Sequence, residues 1–90
     1  MPAREVTIIN KLGLHARAAA KFVGVANRYP CAVRVGRCPA TLVDGKSIMA
    51  VMMLAASKGS TLHLHTEGEQ EHEALAALAA LIDDYFEEGE

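Results

Sequence analysis

A histidine and an arginine two places apart, His15 and Arg17, stand in the stretch NKLGLHARAAAKF, residues Asn10 to Phe22. Neutral imidazole is a nucleophile, and histidine changes charge near physiological pH. Arginine presents a planar fork of donors that matches phosphate oxygens. A helix opening at Ala16 puts His15 at its N-cap. There the first amides, those of Ala16 and Arg17, lack carbonyl partners and the dipole favours an anion. Such a site can accept a phosphoryl group on nitrogen and spread its charge by positioning and electrostatics. The stretch holds no carboxylate to activate a water, which suits a carrier better than a hydrolase. The plainer reading is a capped helix with a solvated arginine beside it. Ser, Thr, Asp or Asn would serve better as caps, so a histidine there needs another reason.

The elements that must position these two residues follow from the pattern. Glu5–Ile9 is β-branched and half alternating, which predicts a strand. Lys11–Leu14 is a loop. From Ala16 to about Arg28, Ala19, Phe22, Val23 and Ala26 share one side of a helix, while Arg17, Lys21, Gly24 and Arg28 share another. Tyr29-Pro30 ends it. Two short strands follow, Cys31–Val35 and Ala40–Val43, joined at Gly36–Pro39. After the loop at Asp44–Lys46 comes a short helix over Ile48–Leu54, with Ser47 as its N-cap. Thr61–Thr66 alternates as a strand. Glu69–Phe86 is the longest helix, with Leu75, Leu78, Ile82 and Tyr85 along one stripe. The order β-α-β-β-α-β-α predicts an α+β fold: one four-stranded antiparallel sheet with three helices on one face.

Ninety residues make one small domain, 1–90, with a thin core. A net charge of −2 is far from the basic excess of a nucleic-acid binder. No run approaches the ~18 apolar residues of a membrane span. The charged, alternating start is unlike a signal peptide, so a cytoplasmic setting is expected. Cys31 and Cys38 are too few and too far apart for a zinc knuckle or a redox pair, and read as reduced thiols.

Other signals are weaker. Gly45-Lys46-Ser47 looks like the end of a P-loop, but the motif needs a glycine where Ala40 stands. His63 and His65, with His72 following, invite a metal, yet the alternation of the first two with Leu62 and Leu64 fits the solvent side of a half-buried strand, and neither metal nor cofactor is expected. Glu69, Glu71 and Glu73 match the dipole of the last helix, and Asp83–Glu90 reads as a solvated tail. In the short helix, Val51 and Leu54 can face the sheet while Ile48, Met49 and Met52 share the other side. Exposed Ile and Met beside an anion site read as a docking surface.

Gly13-Leu-His-Ala-Arg17 with Ala-Ala-Lys-Phe22 resembles the active-site motif of the HPr family, the histidine-containing phosphocarriers of the sugar phosphotransferase system. Lys46–Leu54 is similar to that family's second signature, and Thr66-Glu-Gly68 with the acidic start of the last helix also fits. The resemblance covers nearly the whole chain and implies an open-faced β-sandwich. It implies that His15 is phosphorylated at Nδ1 and that Arg17 supports the phosphate. Phosphate would come from phosphoenolpyruvate through enzyme I and pass to the A domain of an enzyme II. It implies a monomeric carrier with a phosphohistidine intermediate rather than a free-standing catalyst. Leu14, Lys21, Ile48, Met49 and Met52 would help dock partners. Ser47 matches the serine that HPr kinase modifies in some members, where a dianion would weaken docking. Two departures stand out: Ala18 replaces a proline that many members carry, and the His15–Ser47 interval is one residue longer than usual.

Three functions compete on these grounds. The first is the sugar-system carrier, with the nitrogen-related NPr branch as its near rival, since Gly68-Glu-Gln-Glu is similar to NPr chains. The second is a regulatory binding module that controls a kinase or transcription factor. The third is a ligand-binding domain without phosphotransfer.

Overall fold

The computed structural model describes residues 2–87. In chain order the elements are β1 (Ala3–Thr7), α1 (Ala16–Ala26), β2 (Ala32–Gly36), β3 (Val43–Asp44), α2 (Ile48–Met52), β4 (Thr61–Glu67) and α3 (Glu71–Asp83), with a tight turn at Tyr85–Glu87. The strands form one antiparallel sheet in the order β1-β4-β2-β3. This is the expected open-faced α+β arrangement of four strands and three helices.

Alternation decides which face is which. Leu62, Leu64 and Thr66 of β4, Val33 and Val35 of β2 and Val6 of β1 are buried. α3 packs on β4 and β1, and α1 packs on both α3 and α2. Phe22, Ile8, Leu78, Ile82 and Phe86 complete the core, each fully buried. Thr66, a polar residue on the inner face, is satisfied because its hydroxyl donates to the Glu71 carbonyl at 2.8 Å. The opposite face stays open. Glu5 lies across from His63, and Arg34 across from both His65 and Asp44.

Several boundaries differ from expectation. β1 begins two residues earlier, where Ala3 and Arg4 pair with His65 and Leu64. β3 is displaced: Ala40–Leu42 belongs to the turn, tied by Thr41 N–H to the Cys38 carbonyl, and pairing with β2 starts only at Val43. α1 stops at Ala26, where the Asn27 side chain donates back to the Val23 carbonyl at 3.0 Å. α3 ends at Asp83. Tyr85 and Phe86 then adopt positive φ, of 56° and 53°. That bend swings Phe86 into the core in place of Tyr85, which is exposed, while Leu75, Leu78 and Ile82 of the expected stripe are buried. α3 also starts two residues late, so Glu71 and Glu73 occupy its first turn and Glu69 precedes it. Asp83 and Asp84 are exposed, and the end of the expected acidic tail, 88–90, lies outside the described residues.

Cys31 is buried and Cys38 exposed, both as free thiols on either side of β2. No helix among the described residues is long and apolar enough to cross a membrane.

Candidate functional site

The segment before His15 is shaped by Gly13. Its φ of +67° is in the left-handed region, and a Cβ there would sit 2.6 Å from the Ala56 carbonyl oxygen and 2.8 Å from Ser57 Cα. Only glycine allows this approach. The Leu14 N–H then donates to the same Ala56 carbonyl at 2.8 Å, which ties the histidine loop to the exit of α2.

His15 has extended backbone (φ −75°, ψ 177°) and caps α1. Its Nδ1 accepts from the Arg17 amide at 3.2 Å and the Ala18 amide at 3.5 Å. Because Nδ1 is the acceptor, the proton of the neutral ring belongs on Nε2. The ring is half-buried, not sealed in the core. The amides that reach Nδ1 are those of Arg17 and Ala18, one place further along than the Ala16–Arg17 pair expected from the sequence. The reason is the ordinary geometry of a cap, whose side chain reaches the second and third amides of the helix. Ala18 is therefore a donor in its own right.

The electrostatics suit an anion. The first turn of α1 holds no acidic residue, whereas that of α3 holds two. Arg17 is exposed on that turn, and half-buried Lys21 follows four residues on, along the same face. A lone pair on Nδ1, backbone donors beneath it and cations beside it can receive a phosphoryl group and hold its oxygens.

Beside this lies the second motif. Ser47 caps α2 through Oγ, which accepts from the Ala50 amide at 3.4 Å. Lys46 steadies that corner: its Nζ donates to the Tyr29 carbonyl at 2.7 Å and its amide to Asp44 Oδ1 at 2.9 Å. Within α2, Val51 is buried and Leu54 packs partly on the core. Ile48 and Met52 are 40% exposed and Met49 68%. Leu14 departs from expectation. It is only 5% exposed and belongs to the core, because the Gly13 turn points it inward. The exposed apolar residues that sequence reasoning missed are Leu12 and Met53, at 71% and 80%. Leu12 was hidden among loop residues, and Met53 shows outward because α2 has ended by then.

The histidines of the sheet do not form a second centre. His63 Nδ1 lies 3.5 Å from Glu5 Oε1 on the open face, and His72 sits on α3 beside Glu71. Among the described residues no three His, Cys, Asp or Glu side chains converge on a point that could hold a metal.

Comparison with known proteins bears on this geometry. The family described as "PTS HPr component phosphorylation site" matches residues 2–84. The chain belongs to the HPr family. A phosphocarrier protein HPr of Pseudomonas aeruginosa is 79% identical over 90 residues, covering the whole of both chains. A phosphocarrier protein NPr of Klebsiella oxytoca is 39% identical over 83 residues, 92% of each chain. Among solved structures, HPr from Thermoanaerobacter tengcongensis superimposes with a TM-score of 0.91 at 41% identity, covering 98% of each chain. The phosphocarrier role is thus the family's, and the fold matches that of its solved members.

Proposed function

We propose that this HPr-family chain carries a phosphoryl group on His15 Nδ1, taking it from phospho-enzyme I and giving it to enzyme IIA domains in the cytoplasm. One observation supports this above the rest: Nδ1 stands over the Arg17 and Ala18 amides with its lone pair as acceptor. In the transfer, the Nδ1 lone pair forms a bond to phosphorus as the donor's bond to phosphorus breaks. The phosphoryl oxygens then take over the amides that Nδ1 releases, with Arg17 as a further partner. Ala16 adds the first amide of the turn. The reverse exchange delivers the group to the acceptor. Every residue invoked comes from one chain, so a monomer suffices.

Leu12, Lys21, Ile48, Met49, Met52 and Met53 form the docking side, with apolar atoms for contact and a cation for acidic partners. Ser47 serves as a cap and, where HPr kinase is present, as its acceptor. A phosphate there places two charges at the edge of the apolar patch and weakens docking. The NPr reading has the 39% relative in its favour, while the 79% relative named HPr favours the sugar-system branch.

Incubation with phosphoenolpyruvate and enzyme I should give an acid-labile phosphate on the protein and none on His15→Ala. An unlabelled wild type excludes the carrier, and label persisting in the variant moves the site elsewhere. Transfer onward to sugar-system and nitrogen-system IIA domains, compared side by side, separates the branches. HPr kinase with ATP, tried on wild type and Ser47→Ala, tests the regulatory serine.

A further inference from the structure

Asn10 is polar, 1% exposed and only half satisfied. Its Nδ2 donates to the Gly13 carbonyl at 2.8 Å, while its Oδ1 is buried with no donor among the described residues. The orientation is dictated by chemistry, since the flipped amide would set oxygen against oxygen. A buried oxygen without a donor costs stability, which the bond made by Nδ2 has to offset.

The bond it makes is informative. The Gly13 carbonyl and the Leu14 N–H belong to one peptide plane. Asn10 holds the oxygen of that plane at 2.8 Å, and the Ala56 carbonyl holds its N–H at 2.8 Å. The Asn10 backbone carbonyl also accepts from the Gly13 N–H at 3.2 Å, closing the turn. One buried residue, Leu14, separates this doubly pinned plane from His15. On the helix side, the His15 carbonyl accepts from the Ala19 amide at 2.8 Å. His15 is therefore gripped from both directions, and Asn10 supplies the side-chain part of the grip.

We infer that Asn10 is a positioning residue: it fixes the Gly13–Leu14 peptide so that the His15 imidazole sits in register with the Arg17 and Ala18 amides. The inference rests on the phosphocarrier reading only for its kinetic consequence. It names a residue outside the phosphate site and outside the docking side.

The test uses Asn10→Leu, close to asparagine in shape, and Asn10→Ala, at a temperature where thermal melts show both folded. Two readouts are taken. One is the 15N resonance of His15 Nδ1, which reports the amides around it. The other is phosphate uptake from phospho-enzyme I, resolved into kcat and KM. The expected result is a kcat about tenfold lower, since small misplacements of a reacting atom are costly. KM changes less than kcat, because Leu12 is the one docking residue carried by the Asn10–Gly13 turn, and the Nδ1 resonance moves in both variants. Asn10→Leu removes the unsatisfied oxygen together with the donor, so its melting temperature falls little while its kcat falls fully. Wild-type kcat and an unmoved Nδ1 resonance in both variants would overturn the inference. If wild type takes up no phosphate, the carrier reading fails, and the resonance decides the positioning claim by itself.

Discussion

Helices α1 and α2 pack together, and each begins with a side chain that accepts from its own first-turn amides. Over α2 the acceptor is the Ser47 hydroxyl, a residue type that suits the position. Over α1 it is the His15 imidazole, a poorer cap but a better nucleophile. The surroundings differ in the same sense. α2 is five residues long, with apolar residues exposed along it, and depends on neighbours for stability. α1 is an 11-residue amphipathic helix whose buried side, with Ala18, Ala19, Phe22 and Ala26, secures it without a strong cap. A well-anchored helix can give up its cap to chemistry; a short one cannot.

Removing each cap gives the largest contrast. His15→Ala should abolish phosphate uptake while stability changes by no more than about 1 kcal/mol, as read by acid-labile label and denaturant unfolding. A large loss of stability would make His15 a structural cap and break the contrast. Gly13→Ala comes next. The left-handed φ of +67° and the backbone only 2.6 Å from a new Cβ should destabilise by at least about 1–2 kcal/mol. Uptake should fall too, because the loop before α1 must shift. Met49→Lys then addresses the face beside α2: KM for enzyme I should rise about tenfold with kcat retained. An unchanged KM would remove Met49 from the docking side.

The comparison also shows what the sequence could reveal. Both N-caps, both helices and the faces of β4 were legible, because caps and periodicities of 3.6 and 2 are local. That the Arg17 amide lies beside His15 was legible for the same reason. What was hidden depends on contacts distant in sequence. Leu14 looked like a docking residue until the Gly13–Ala56 approach turned it inward. Phe86 replaced Tyr85 in the core because the chain bends at two left-handed residues that no helical stripe foretells. β3 was misplaced because Ala40–Leu42 has strand-like residues but pairs only from Val43. Asn10 bonds only to nearby Gly13, but the significance of that bond depends on a peptide plane also held by distant Ala56. The Ala18 amide could have been found from the N-cap rule alone.

Smaller effects sharpen the other side of the contrast. Ser47→Ala should cost about 1 kcal/mol in urea unfolding, while phosphate uptake on His15 persists. Loss of uptake would show that the two caps act as one unit. The far end of α2 carries a strain that bears on the same point. Ala55, three residues past the helix, has φ of +51°, where glycine is favoured and alanine is not. Its amide donates to the Met52 carbonyl at 3.1 Å and closes the helix end just before Ala56, which holds the histidine loop. Ala55→Gly should relieve that conformation and stabilise by about 0.5–1 kcal/mol, a rise of roughly 2–8 °C in Tm. If α2 is limited by its ends, this gain should offset much of the Ser47→Ala loss in the double variant. A Tm that falls on Ala55→Gly would mean the left-handed turn is not costly here, and that its packing rather than its ends stabilises α2.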